Sequence, residues 1–199
     1  MTENAAAPGH IRKLWPADLP EFRRHLMRLD ADSRRARFAM AASDEFLATY
    51  AETAFALDTL LFGYIEQGEL RGVAELRMLS GQRSRMAEAA FSVEPEYRHR
   101  GIGAGLMEHV VLAARNRGIR RLYMSCLGLN RAMQALARLF SAELVFESED
   151  VLGIVEAPAP TTGTLMQEAV TNAGSFATAI LDLQQKWWQR YAFLRPRTP

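Results

Sequence analysis

The 199 residues are enough for one domain, or for one domain with an appendage, and a composition of 49% hydrophobic and 24% charged residues excludes an intrinsically disordered chain. A net charge of +1 gives the whole molecule no attraction for nucleic acid, and the longest uncharged stretch, from Ala169 to Leu181, is too short to cross a membrane. A single cysteine, Cys126, and an amino terminus without the apolar core of a secretion signal predict a cytoplasmic protein.

The first half of the chain predicts a strand, two helices and three antiparallel strands. Asp18 and Glu21 form the pattern of a capping box at the start of the first helix, and Gln67-Gly68 is typical of the turn of a β-hairpin. The expected elements are a strand over 10–14, a helix after Asp18, a helix from Ser43, and strands over 59–66, 69–79 and 86–93.

The second half predicts two helices that alternate with strands. Ile102, Leu106 and Val110 recur at helical spacing, and Gly118 is a typical carboxyl-terminal stop. The expected elements here are a helix over 102–117, a strand over 119–126, a helix over 130–140, and strands over 143–147 and 151–156.

A proline-rich linker over 157–163 divides the predicted domain, residues 1–156, from a carboxyl-terminal amphipathic helix within 164–199. Thr164 and Gln167 form a second capping-box pattern. This segment is too short for a core of its own, so we expect it to pack on its own domain or to form a homodimer with a second chain. The apolar residues that would make the dimer contact are Phe176, Ile180, Trp187 and Trp188.

A local excess of positive charge stands out against the overall balance. Between Arg98 and Arg138 the chain has eight arginines and a single acid, Glu108, so an anionic ligand would be attracted there.

Within this stretch, the loop over 98–104, RHRGIGA, joins a predicted strand to a helix. Its glycines leave the backbone bare at the positive end of a helix dipole, where consecutive N–H groups can hold a pyrophosphate. The same glycines would also allow a tight turn with no ligand.

Three nucleotide-binding patterns can be compared with this loop. The P-loop pattern GxxxxGK(S/T) is absent. The dinucleotide pattern GxGxxG fails because its third glycine is misplaced and Arg121 stands where an acid is needed. The pattern that fits is (Q/R)xxGxG/A, matched by Arg98, Gly101 and Gly103 between a strand and a helix.

The loop resembles the acetyl-CoA-binding motif of the GNAT superfamily of N-acyltransferases, and the order of predicted elements from about His10 to Glu156 matches that fold. A second block over 122–140, LYMSCLGLNRAMQALARLF, is similar to the downstream motif in which an asparagine precedes a helix. Residues 26–52 are similar to the acceptor-side segment of GNAT domains related to bacterial protein acetyltransferases. The resemblance implies an α/β (α+β) fold, with a mixed, mostly antiparallel sheet of six or seven strands that is splayed between the fourth and fifth strands and flanked by helices.

The resemblance also implies how the cosubstrate acetyl-CoA is bound. Main-chain groups at the end of the fourth strand would pair with the pantetheine arm, and loop amides would hold the pyrophosphate. Asn130 would meet a pantetheine amide, cap its own helix, or do both, and Arg138 could reach a phosphate. The implied contacts are Phe91, Ser92, Val93, Arg98, Arg100, Gly101, Ile102, Gly103, Ala104, Asn130 and Arg138.

Acetylation of an amine needs a base, because a primary amine with a solution pKa near ~10 is protonated at neutral pH. Glu88 lies in the middle of an otherwise apolar strand, at about the position where several GNAT enzymes keep a catalytic glutamate. Burial would raise the pKa of this carboxyl, as a general base requires. The alternatives are an exposed Glu88 or one paired with Arg77, and Glu75 on the neighbouring strand is the second candidate base.

The general acid is a point at which the chain departs from the family pattern. Many relatives have a tyrosine seven residues after the asparagine, whereas this chain has Ala137. Tyr123, Ser125 or a water could return the proton to the thiolate instead, or coenzyme A could leave as the thiolate. A lone cysteine in a buried strand usually serves packing, so we expect direct transfer rather than an acyl-Cys126 intermediate.

Two functions are consistent with these patterns, beside a third in which the protein is chiefly a dimerising scaffold that acts through its carboxyl-terminal helix. The first is an N-acetyltransferase that uses acetyl-CoA and an amine acceptor, either a small molecule or a protein lysine. The second is a GNAT-fold module that binds acyl-CoA without turnover and acts as a regulator, an alternative that Ala137 favours. His99 and His109 lack the spacing of metal ligands, so no metal is expected, and neither nucleic acid nor a membrane is an expected partner.

Overall fold

The computed structural model describes residues 9–79, 85–147 and 150–192. Its strands are β1 (His10–Lys13), β2 (Thr59–Glu66), β3 (Glu69–Met78), β4 (Met86–Val93), β5 (Arg121–Leu127), β6 (Glu143–Glu147) and β7 (Asp150–Glu156). Its α-helices are α1 (Leu19–Arg28), α2 (Ala31–Phe38), α3 (Asp44–Thr53), α4 (Ile102–Asn116), α5 (Arg131–Leu139) and α6 (Thr162–Ala192).

Within the described ranges, the strands form one seven-stranded sheet in the order β1-β2-β3-β4-β5-β7-β6. Neighbouring strands are antiparallel except for β4 and β5, which are parallel. β4 and β5 pair only from Met86 to Glu88, whereas β4 stays paired with β3 as far as Val93. The mostly antiparallel sheet and the splay between its fourth and fifth strands are therefore confirmed.

The sheet has a separate hydrophobic core on each face. On one face α4 packs through Leu106 and Val110 against residues such as Ala74, and α5 extends this layer over β5–β7. On the other face α1 and α3 pack through Leu26 and other apolar residues against Val73. Adjacent residues of β3 enter different cores because side chains alternate along a strand.

The helix α2 has no counterpart among the expected elements. Its eight residues, ADSRRARF, include three arginines and lack an apolar stripe, so periodicity does not reveal it. Asp30 caps the helix by accepting from the Ser33 amide at 2.7 Å. The local signal that could have found α2 is this Asp-x-x-Ser pattern.

Two expected capping boxes differ in the structure. Asp18 precedes α1 without capping it, because its carboxylate accepts from the Arg12 guanidinium at 2.8 and 2.9 Å and from the Trp15 amide at 2.9 Å. At α6 the box is formed by Thr161 and Thr164 rather than by Thr164 and Gln167. The Thr161 amide donates to Thr164 Oγ1 at 2.9 Å, and the Thr164 amide donates to Thr161 Oγ1 at 3.3 Å.

The first half of α6 packs on its own chain, along α4 and β1. Glu168 accepts from Asn116 Nδ2 and from Arg117, each at 2.7 Å. Two turns further along α6, the hydroxyl of the buried Ser175 accepts from the Lys13 amide at 3.4 Å. The side chains of Trp187 and Trp188, predicted to contribute to a dimer, lie outside the described residues. None of the helices in the described ranges combines the length and apolar character that a membrane span needs.

Candidate active site

The divergence of β4 from β5 leaves one edge of β4 open. The last register pair joins Glu88 to Tyr123, and from Ala89 to Val93 the only described strand beside β4 is β3. Backbone N–H and C=O groups on such an edge can pair with an extended ligand in the way that an added strand would. The gap between β4 and β5, which we call the strand cleft, is therefore a candidate ligand site.

The start of α4 lies near the open end of β4, because a Cβ added at Gly72 of β3 would contact both Ile102 and Val93, at 3.2 and 3.3 Å. Gly101 has a φ of 78°, in the left-handed region, and α4 begins at the next residue. No described side chain caps this helix, so the amides of Ile102, Gly103 and Ala104 are left as the donors of its first turn. Together with the helix dipole, these donors favour an anion at the mouth of the strand cleft.

The two arginines of the loop before α4 contact other parts of the protein. Arg98 donates from Nε to the Val93 carbonyl at 3.1 Å and from Nη2 to Ser33 Oγ at 2.6 Å, and so links α2 to the end of β4. Arg100 donates to the Glu66 carboxylate at 3.0 and 3.1 Å. Their contact with a pyrophosphate stays a prediction.

Asn130 follows β5, the second wall of the strand cleft, and caps α5. Its Oδ1 accepts from the Met133 amide at 3.0 Å, which leaves Nδ2 as a free donor among the described residues. Ala137 is buried against Gly153 of β7. The two residues lie so close that a Cβ added to Gly153 would be 3.4 Å from the Ala137 Cβ. Arg138, on the same helix, is exposed.

Glu88, Tyr123 and Ser125 lie on the face of the sheet that α4 does not cover. Tyr123 donates its hydroxyl to Met86 Sδ at 3.3 Å, and Met86 shares a face with Glu88 by alternation. Of the alternatives for Glu88, the structure shows the exposed side chain and not the buried one. Glu88 has no ion pair with Arg77, its register partner, or with any other described residue.

Glu75, the second candidate base, is buried on this face. It is 4% exposed and accepts from Arg37 Nη2 at 2.5 Å and from the Tyr50 hydroxyl at 2.6 Å. Burial raises the pKa of Tyr50 to about 12, despite the opposing charge of Arg37, so this phenol stays protonated and donates. Both carboxylate oxygens of Glu75 are thus engaged by Arg37 and Tyr50, so this side chain holds the structure together on this face.

A sequence profile of the Acetyltransferase (GNAT) family matches residues 22–140, from α1 to the end of α5. The chain belongs to the GNAT family. The resemblance predicted from the loop over 98–104 is thereby confirmed. Acetyltransferase PA5475 of Pseudomonas aeruginosa is 29% identical over an alignment of 133 positions, which covers 63% of this chain and 70% of that protein. The family match and this relative identify the GNAT protein as an acyltransferase.

Solved structures of other GNAT proteins show the same fold. The GNAT domain of PAT from S. lividans has a TM-score of 0.68 at 20% identity, over 74% of this chain and 90% of that chain. The ribosomal-protein-S18-alanine N-acetyltransferase of Escherichia coli has a TM-score of 0.59 at 18% identity, over 78% and 97%. The PaiA N-acetyltransferase of Thermoplasma acidophilum, solved with coenzyme A, has a TM-score of 0.57 at 19% identity, over 75% and 99%.

Beside the strand cleft, this GNAT protein has a buried hydrogen-bond network that the sequence analysis missed. His25 Nδ1 lies 3.1 Å from Glu94 Oε1, and His25 Nε2 lies 2.9 Å from Ser92 Oγ. Glu94 also accepts from Arg28 and Arg71, each at 2.9 Å. Nothing in the sequence spacing connects His25 with residues 67 and 69 positions away.

The protonation states in this network follow from burial and charge. Burial lowers the pKa of His25, so the ring is neutral at physiological pH. Burial acts to raise the pKa of Glu94, but hydrogen bonds from His25, Arg71 and Arg28 outweigh it and lower that pKa. The ionised carboxylate can only accept, so His25 donates from Nδ1 to Glu94 and accepts at Nε2 from the Ser92 hydroxyl. The network thereby joins α1 to the carboxyl-terminal end of β4.

Proposed function

We propose that this acyltransferase moves an acetyl group from acetyl-CoA to a primary amine, by direct attack of the amine in a ternary complex. The observation that supports the proposal most strongly is the position of the strand cleft, directly beside an uncapped helix start. An open strand edge suits the amide-bearing pantetheine arm, and free helix amides suit the diphosphate. The solved complex of the PaiA relative with coenzyme A supports the choice of donor.

Binding of acetyl-CoA would follow the length of β4. In the proposal, the amides of Ile102, Gly103 and Ala104 hold the diphosphate, and the main chain of residues 91–93 pairs with the pantetheine arm. Five residue steps separate Val93 from Glu88, or about 17 Å of extended strand. An extended arm along β4 would therefore bring the thioester to the level of Glu88, where β4 and β5 join. Asn130 Nδ2 would contact the arm from the other wall, and Arg138 would reach a phosphate.

Glu88 is the proposed general base. Its carboxylate is exposed and has no described partner, so it can take a proton from the incoming ammonium group directly or through a water. The amine nitrogen then attacks the thioester carbonyl carbon, and the tetrahedral intermediate expels the coenzyme A thiolate. Tyr123, the register neighbour of Glu88, would return a proton to that thiolate, with Ser125 or a water as alternatives.

The acceptor is proposed to be an amine of a small molecule or of a protein. It would approach on the face that carries Glu88, Tyr123 and Ser125, where the sheet is open between α2 and the edge strand β6. By its name, the E. coli relative acetylates an alanine of ribosomal protein S18, which shows that a protein amine is a realistic acceptor for this fold.

The test is release of coenzyme A thiol from acetyl-CoA in the presence of a panel of amines, with Glu88→Gln as the decisive variant. We expect kcat to fall about 100-fold or more, because a positioned base contributes at least that factor, while acetyl-CoA affinity stays the same. Glu108→Gln, a change of the same kind on the exposed side of α4, is the matched control and should keep full activity. Acetyl-CoA binding without amine-dependent thiol release in the wild type would contradict the proposal.

A further inference from the structure

A second concave site lies at the opposite end of the sheet from the start of α4. It has a volume of about 440 Å³, within the range of small-molecule sites. Its walls come from the residue before β4, the turn between α4 and β5, and the segment that follows β7. We call it the arginine cleft, after the three arginines that line it among the described residues, Arg85, Arg120 and Arg121.

The arginine cleft has more positive than negative charge. All three arginines are exposed, and none has an ion pair with a residue that the structure describes. Glu156 is the one acid among the lining residues that the structure describes. Arg115 adjoins the cleft, where its Nε donates to the Ala159 carbonyl at 2.8 Å. Exposed positive charges around one concave site attract an anion.

The backbone beneath the arginines is fixed by hydrogen bonds between three segments. The amides of Arg120 and Arg121 donate to the Arg85 carbonyl at 2.7 and 3.2 Å, and the Ala157 amide donates to the Arg120 carbonyl at 3.0 Å. These amides are therefore not available to a ligand, and the guanidinium groups are the donors of the site. A guanidinium presents its N–H groups as a planar fork that matches two oxygens of one phosphoryl group.

We propose that the arginine cleft binds a small phosphorylated molecule at a site separate from acyl-CoA. A concave site of this volume suits a small ligand, whereas nucleic acid would need a basic surface that extends along the molecule. Arg85 directly precedes β4 and Arg121 begins β5, and these strands first pair at Met86 and Arg121. A phosphoryl group bound in the arginine cleft would therefore lie at the end of the sheet where the two walls of the strand cleft are joined.

The experiment is calorimetric titration of inorganic pyrophosphate into the full chain saturated with coenzyme A, so that the start of α4 is already occupied. We expect one equivalent to bind. In Arg85→Gln/Arg121→Gln, pyrophosphate affinity should fall at least tenfold while coenzyme A affinity changes less than twofold. Arg23→Gln/Arg35→Gln removes the same charge from exposed positions on α1 and α2, and should keep pyrophosphate affinity within twofold.

Three results would overturn the inference. The first is a coenzyme A-saturated wild type that does not bind pyrophosphate. The second is an equal loss of pyrophosphate affinity in both double variants, and the third is preferential binding of a DNA duplex at the same arginines. Thermal unfolding confirms that each variant is folded, and Arg120→Gln provides a second, single-site test. If coenzyme A itself did not bind, the proposed function would fail, but the contrast between the two double variants would still test the cleft.

Discussion

His25 shows how burial decides the role of a single residue. It is 0% exposed and lies between Ser92 and Glu94, in a cluster where Arg28 and Arg71 already supply two positive charges to one carboxylate. A protonated ring would add a third positive charge out of reach of water, which is costly. The neutral ring instead connects α1 with the strand that we propose to hold pantetheine.

We expect folding stability to decrease as pH falls below about 6.5. The pKa of His25 is lower in the folded state than its ordinary value of 6.5, so the unfolded state binds more protons below that pH and is favoured there. The lowered pKa of Glu94 adds a further loss below its ordinary value of 4.5. Denaturant unfolding from pH 5 to 8 measures the slope, which should be smaller in His25→Gln and unchanged in the exposed control His10→Gln. Equal slopes in all three proteins would contradict this assignment.

Substitution by alanine should change the free energy of unfolding differently at Gly101 and at Gly103. Gly101 has a φ of 78°, so Gly101→Ala should lower the free energy of unfolding by about 1–2 kcal/mol. Gly103 lies in the helix, where an added Cβ would come no closer than 3.8 Å to Leu136. Because alanine favours a helix more than glycine does, Gly103→Ala should leave the free energy of unfolding unchanged or raise it. Urea unfolding of both variants checks this, and a Gly101→Ala protein as stable as the wild type would refute it.

At the scale of elements, α2 depends on tertiary contacts more than on its own sequence. Arg98 donates a hydrogen bond to Ser33 in the first turn of α2. Phe38, the last residue of α2, packs edge-on against Tyr50 with ring centroids 5.1 Å apart. A helix of eight residues is too short to be stable alone in water. Its placement against β4 and β5 therefore depends on these contacts.

Arg98→Ala should loosen α2 and lower the free energy of unfolding by about 1 kcal/mol, because two hydrogen bonds to the end of β4 and to α2 are lost. Hydrogen exchange of amides over 31–38 should become faster. Arg35→Ala, on the exposed side of the same helix, is the control and should change stability by less than about 0.5 kcal/mol. Unchanged exchange over α2 in Arg98→Ala would show that other contacts hold the helix.

At the scale of the whole molecule, α6 turns its apolar side away from its own domain. Glu168 and Ser175 contact α4 and β1, whereas Met166, Val170 and Leu181, which share the opposite side, are 66%, 68% and 58% exposed. An apolar stripe of this length is costly to leave in water. The homodimer remains one of the two alternatives for this segment. Phe176 and Ile180, predicted for its contact, are 56% and 41% exposed, and Met166, Val170 and Leu181 would extend that contact.

Val170→Glu/Leu181→Glu should convert a dimer to a monomer that stays folded, because these side chains are exposed within their own chain. Sedimentation measures the mass in solution. Thr162→Glu/Gln167→Glu adds the same charge to exposed polar positions of α6 and should leave the mass unchanged. A wild-type protein that sediments as a monomer would contradict the dimer.

Periodicity and short motifs are local, so they predict the family, the strand bounds of β2, β4 and β6, and the strand–loop–helix around Gly101. The exposure of Glu88 and the pairing of Glu75 with Arg37 are visible in the folded structure alone. The same is true of the apolar stripe of α6, which turns outward. Burial and pairing depend on residues that are distant in the chain, so no local pattern contains them.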